Sequence, residues 1–184
     1  SLVVAALYIA ATVSQSGLLK FMGRYVRWNG FFGSGLSFLA GKIGNSGIFM
    51  DKEEPVFALA DRSMHVASYF FDAARDEFDD RDTPHRDTHR TLAQAMLKGL
   101  IEHGDVTMDQ ANETLAEPMW LQALCNRTRT GYGRGTAEDA PSVYRSMGYH
   151  LGSEVLADKE FTVLDRVLKQ TRPDVVAYLK DRKV

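Results

Sequence analysis

Between Val56 and Phe78 the apolar residues Phe57, Ala60, Met64, Ala67, Phe71, Ala74 and Phe78 recur at three- and four-residue steps. Steps of that size line one face of a 3.6-residue helix and do not fit the two-residue alternation of a strand. The acidic run Asp79–Asp82 breaks the pattern. Thr83-Pro84 then supplies an N-cap and a first helical residue, the position where the missing N–H of proline removes no helical bond. Leu92, Ala93, Met96, Leu97, Leu100 and Ile101 mark the buried side of the following helix, before Gly104. A connection of about four residues favours an antiparallel helical hairpin.

The rest of the chain reads the same way. Leu18, Met22, Tyr25, Trp28 or Asn29, Phe32, Leu36 and Leu39 follow one apolar face, with Gly30, Gly33 and Gly35 marking a kink or a close helix contact. Gly44-Asn45-Ser46-Gly47 ends that segment, and Asp51–Pro55 opens the next. Thr107-Met108-Asp109-Gln110 has the form of a capping box. Pro118 divides or kinks the helix before Met119, Trp120, Leu121, Leu124 and Cys125, and Gly131–Gly135 is the most evident loop. Asp139-Ala140-Pro141 starts a helix expected to run to about Leu156, and Asp158 is placed to cap another, with Phe161, Leu164, Val167 and Leu168 inward. Pro173 opens a last short helix. No strand-like alternation competes. The expected fold is all-α, a bundle of about seven or eight helices forming one domain over residues 1–184.

A chain of 184 residues is long enough for one sizeable core. A net charge of −2 and scattered Lys and Arg provide no field for a phosphate backbone, so nucleic acid is not an expected partner. The single cysteine, Cys125, excludes an internal disulfide and any multi-cysteine zinc site, in keeping with a reducing cytoplasm. The run Leu2–Ala11 resembles a secretory apolar region, but no basic residue precedes it within the chain and it is too short to span a bilayer. It is expected to be a buried helix, with no membrane association, rather than the remnant of a targeting segment.

Two segments bring a carboxylate and an imidazole close to an apolar face. On the first hairpin helix, Glu77 shares a face with Val66, Phe70 and Ala73, where an ionised carboxylate calls for a cation or hydrogen-bond donors. Across the short loop, His89 precedes Ala93, Met96 and Leu100 on its own apolar side, and His85 lies one turn nearer the loop. Further on, His150 and Glu154 are four residues apart, with Met147 and Val143 adjoining. They can be two metal ligands, or one ligand and its hydrogen-bonded support. Carboxylate and imidazole converging inside a helical body is how such bundles hold transition metals. Asp61, His65, Asp72 and Asp76 form a second polar line, more simply a solvated face, with Asp61 and His65 as a reserve metal pair. His103, beside Gly104, suits a helix C-terminus. Cys125 lies just before Arg127 and Arg129, which would favour a thiolate, although single buried cysteines usually only pack. Gly131, Gly133 and Gly135 make no phosphate loop, since no strand precedes them and no Gly-Lys-Ser/Thr follows.

Ala73–Asp80, followed by Pro84–Leu92 with His89, resembles the acid-loop-histidine hairpin of the heme-oxygenase-like superfamily, which includes thiaminase II-like proteins, pyrroloquinoline-quinone synthase and heme-oxygenase-like diiron oxidases. Gly148–Phe161 is similar to their later helix, where a small-residue segment leads to a glutamate ligand. The resemblance implies a heme-oxygenase-like bundle in which Glu77 is a first-helix ligand, His89 its partner after the loop, with His85 as alternative, and Glu154 the second-helix carboxylate. It implies a non-heme iron oxidase or oxygenase acting on a small organic substrate, and a homodimer is expected. The His-x-x-x-Asp-x-x-His set of the diiron branch has no counterpart, because no histidine follows His150. No histidine precedes His65 to act as a heme ligand, and Cys125 is the only candidate nucleophile for the alternative of a metal-free, thiaminase-like activity; the other alternative is a non-catalytic, ligand-binding helical protein.

Overall fold

Helices joined by turns, bends and short irregular connections make up the residues described by the computed structural model, which covers 15–49, 56–78, 97–99, 101–102, 106–114 and 118–181. The all-α expectation is met. The helices with defined bounds are α1 (Gln15–Ser46), α2 (Val56–Phe78), α3 (Met108–Thr114), α4 (Met119–Gly131), α5 (Ala140–Thr171) and α6 (Pro173–Asp181). The expected N-terminal helix, the Asp79–Pro84 turn, the segment with His85 and His89 up to residue 96, and His103 lie outside the described residues. No helix among the described residues is long and apolar enough to cross a membrane.

The helix ends follow local chemistry. At α3, Thr107 N–H donates to Gln110 Oε1 at 3.0 Å and Gln110 N–H donates to Thr107 Oγ1 at 3.2 Å, the reciprocal pair of a capping box. At α5, Ser142 N–H donates to Asp139 Oδ1 at 2.8 Å. Hydrogen bonds from Ser142, first from its side chain and then from its backbone, hold the Asp139 carboxyl below its usual range. Pro173 stands first in α6, and Arg172 pairs with Asp174 at 2.7 Å, which lowers the Asp174 carboxyl in the same sense.

Two expectations are corrected. The break near Leu156 does not occur: α5 is one helix of 32 residues, and Thr162 Oγ1 donates to the Asp158 carbonyl as an interior helical residue does. Neither glycine nor proline falls between Ser153 and Thr171, and an aspartate alone does not end a helix. On α2 the buried face is rotated by part of a turn. Ser63, Ala67 and Ala74 are buried, with Val66, Phe70, Ala73 and Glu77 half-buried beside them. Met64 and Phe71, expected inside, are 56% and 46% exposed.

Contacts group the described residues into two compact units. Unit 1 takes in α1 up to Asn29, the residues from 97 to Leu121, and the chain from Glu154 onward. Its core is Leu19, Met22, Tyr25, Leu164, Leu168, Val175 and Tyr178, with Tyr25 edge-on to Phe161 at 6.1 Å. Unit 2 takes in Gly30 to Phe78 and Gln122 to Ser153. Its core is Leu36, Leu39, Ile43, Ala67, Ala74, Tyr132 and Val143. Each fully buried leucine or methionine contributes roughly 1.5–3 kcal/mol relative to an exposed one, so each unit has an apolar interior of its own.

Candidate functional site

The most developed polar arrangement lies in unit 2, and it begins with a glycine. Gly35 on α1 leaves room for the ring of Tyr132: a Cβ at that position would lie 2.6 Å from Tyr132 Cγ. The expected close contact among the α1 glycines is therefore with the loop after α4. Phe32 packs edge-on to the Tyr132 ring at 6.0 Å and Tyr149 at 5.3 Å, and Tyr132 is fully buried. Rings held this way leave little freedom to turn.

The loop that carries Tyr132 is anchored by Lys42, itself buried on α1. Its ammonium donates to Thr136 Oγ1 at 2.7 Å, to the Gly133 carbonyl at 3.2 Å and to the Thr136 carbonyl at 3.4 Å. Three acceptors match the three N–H bonds of the ammonium group, which is what a buried cation requires. Gly133 has φ +91°, a conformation that favours glycine, and a Cβ there would also lie 2.8 Å from Ser146 Oγ.

Anchored in this way, the Tyr132 hydroxyl lies 3.2 Å from His150 Nδ1 and 3.4 Å from Ser153 Oγ. Ser153 Oγ in turn donates to the His150 carbonyl at 2.7 Å. The imidazole is half-buried and packs edge-on to Phe70 of α2 at 5.5 Å. His150 is thus set in an aromatic corner formed by Phe70 and Tyr132, with a hydroxyl behind one ring nitrogen. A histidine supported through Nδ1 is ready for proton transfer, or for ligating a metal through Nε2.

The other expected site residues are placed as follows. Glu77 is half-buried on the α2 face expected for it, two turns beyond Phe70, with Oε2 shielded from solvent. Glu154, in unit 1, is exposed and lines an open groove along α5 with Ala157, Asp158, Phe161 and Thr162. His85 and His89 lie outside the described residues. Among the described residues no three His, Cys, Asp or Glu are grouped where they would hold a metal ion. His65, Asp72 and Asp76 are exposed, as the solvated reading of that line expects. Cys125 is buried, and Arg129 stacks over Phe31 at 4.5 Å, so this segment has the character of packing.

Sequence reasoning passed over Tyr132, Ser153 and Lys42, and in unit 1 it passed over Glu160. Glu160 is only 4% exposed, with Oε1 buried and making no hydrogen bond, and burial pushes its carboxyl above the usual range. The one available signal was the setting of Tyr132, a large aromatic between Gly131 and Gly133 in what reads as a polar loop. The chain matches no protein-family model, no curated protein and no solved structure.

Proposed function

We propose that unit 2 binds a small organic molecule at the His150 corner and that His150 exchanges a proton with it. One observation carries this reading: an imidazole that is half-buried, walled by Phe70, and supported at Nδ1 by the hydroxyl of the fully buried Tyr132. Aromatic walls with few polar groups are what a small-molecule site needs, and an oriented imidazole is the commonest proton-transfer group near neutral pH. The chemistry proceeds without a metal in this reading.

A second reading is favoured by Glu77, whose half-buried carboxylate faces the apolar side of α2. Here the chain is a non-heme iron oxidase or oxygenase, and Glu77 and His150 are the candidate ligands that the described part of unit 2 supplies. Oxygen and nitrogen donors of this kind suit iron, which when bound would supply dioxygen chemistry. The described residues contribute Glu77 and His150 to that set in unit 2 and do not complete a group of three.

One pair of measurements separates the readings. The native chain and His150→Gln are screened by thermal shift against a library of small organic molecules, and iron is quantified after anaerobic Fe(II) reconstitution of the native chain and Glu77→Ala. A ligand at about 100 times its Kd stabilises by about 2.7 kcal/mol, which raises Tm by roughly 5–10 °C for a chain of this size. A shift of that order that is lost in His150→Gln supports the first reading, and a library with no His150-dependent ligand removes it. Iron near stoichiometry, lost in Glu77→Ala, establishes the second.

A further inference from the structure

We propose that one stripe of α1 is the positioning element for His150 and acts on it through Tyr132. Phe32, Gly35, Leu39 and Lys42 follow one another at steps of three, four and three residues, so they lie along one side of the helix. Leu39 is fully buried in the core of unit 2. The other three each meet the segment that carries Tyr132. Phe32 packs edge-on to the Tyr132 ring, Gly35 leaves the space that the ring fills, and Lys42 holds the loop that follows.

These contacts fix different freedoms of the tyrosine. Its backbone N–H continues α4, donating to the Thr128 carbonyl at 3.0 Å. Beyond it, the Gly133 carbonyl accepts from Lys42 Nζ at 3.2 Å and from Thr136 Oγ1 at 2.8 Å, and Lys42 also donates to Thr136 Oγ1 at 2.7 Å. Bonds from a charged donor are the stronger kind, and these tie the loop to α1. Without the ammonium, Gly133, whose φ of +91° lies in the range natural to glycine, can readjust and carry Tyr132 with it. Gly35 controls the ring itself. A Cβ there would lie 2.6 Å from Tyr132 Cγ, so a side chain at this position displaces the ring and its hydroxyl together.

The hydroxyl is where these constraints are felt. It lies 3.2 Å from His150 Nδ1, at the long end of the hydrogen-bond range, so a small displacement is enough to alter the contact. Whichever of the two atoms carries the hydrogen, the contact bears on the electronic state of that nitrogen. Gly35 and Lys42 are therefore positioning residues for the imidazole. This deepens the proposed function and rests on it only for the use of His150, because the contact exists with nothing bound.

The experiment is a proton–nitrogen correlation spectrum of the full chain with 15N-labelled histidine, taken where the imidazoles are neutral. His150→Gln identifies the Nδ1 resonance of His150 among the five histidines. Tyr132→Phe is the reference, since it removes the hydroxyl and keeps the ring, and it should move that resonance. Gly35→Ala and Lys42→Met should each move it in the same direction and by a comparable amount. Thr136→Val takes away the 2.7 Å acceptor of Lys42 and should do likewise, which keeps the tie testable if Lys42→Met fails to fold. Thr107→Ala weakens α3 in unit 1 without touching the stripe, and should leave the resonance in place.

An Nδ1 resonance that Tyr132→Phe leaves unmoved overturns the proposal. So does one that stays at its native position in folded Gly35→Ala and in folded Lys42→Met or Thr136→Val. A resonance that moves as far in Thr107→Ala reports lost stability, not lost position, and overturns it as well. Shifts in the stripe variants with no His150-dependent ligand in the thermal screen remove the proposed function and leave the positioning role standing. A His150-dependent ligand, with a resonance that none of the stripe variants moves, does the reverse.

Discussion

Gly35→Ala should destabilise the chain, although it replaces glycine by the best helix former inside a long helix. In the interior of α1 the exchange alone would stabilise by about 1 kcal/mol. Against this stands the Tyr132 ring, which would have its Cβ 3.0 Å and its Cγ 2.6 Å from the new methyl. Carbon atoms settle at about 3.5–4.0 Å, so the ring must retreat by about 1 Å, against the edge-on packing of Phe32 and Tyr149. Overpacking of this kind costs about 1–3 kcal/mol, and a displacement this large belongs at the upper end. The net expectation is a loss of about 2 kcal/mol. For a chain of this size that lowers Tm by roughly 4–8 °C.

The assay is urea denaturation followed by far-UV circular dichroism, on native, Gly35→Ala, Tyr132→Ala and the double variant. In the Tyr132→Ala background the two ring contacts are gone and the 3.0 Å contact to Cβ is one that a small shift absorbs. There Gly35→Ala should be neutral or stabilising by up to about 1 kcal/mol. Equal effects in both backgrounds, or a gain of stability in the native chain, would refute the claim that Gly35 is required by the Tyr132 ring.

Three further outcomes follow from particular groups. Lys42→Met should cost about 2–3 kcal/mol in the same denaturation assay, because it leaves the Gly133 carbonyl and the Thr136 oxygens without their charged donor. Thr107→Ala, which opens the capping box of α3, should cost about 1 kcal/mol, measured the same way. Glu160 has a folded-state pKa raised by burial, so the folded state holds its proton more tightly than the unfolded one. Its contribution is therefore complete below the ordinary carboxylate value of 4.5 and is lost as pH rises through the raised folded value. Glu160→Gln should remove that decline, giving a flatter stability profile and a chain at least as stable at neutral pH. A variant whose pH profile matches the native one would show that Glu160 is not the source.

What the sequence revealed about the fold depended on how far each signal reaches. The capping box at Thr107, the Asp139 cap and Pro173 at the head of α6 act within four residues, and each was readable. The face of α1 was readable too, because its apolar residues leave the opposite side polar enough to choose. On α2 they do not. Met64, Val66, Ala67, Tyr69, Phe70, Phe71, Ala73 and Ala74 cover most of the circumference, and two overlapping arcs share Ala67 and Ala74. The choice between the arcs depends on what the helix meets. Small Ser63 and Ala67 are buried, Gly44 of α1 sits against Met64 and Ala67, and Phe70 is taken by His150. None of those partners can be read from α2 alone.

The same limit explains the candidate site. His150 was singled out for its neighbour Glu154, four residues along the helix. The groups that bond its ring and carbonyl are Tyr132, eighteen residues earlier in a loop, and Ser153, whose hydroxyl reaches both the His150 carbonyl and the tyrosine. Glycines on either side of Tyr132 were visible, yet in sequence they signal a turn. Only in space does the reason emerge: Gly131 faces the Tyr149 ring, where a Cβ would be 2.6 Å away, and Gly133 lies between Ser146 and Lys42. The loop is therefore constrained on both flanks so that one buried hydroxyl reaches one imidazole nitrogen. Its glycines are demanded by the positioning of Tyr132 as much as by the turn.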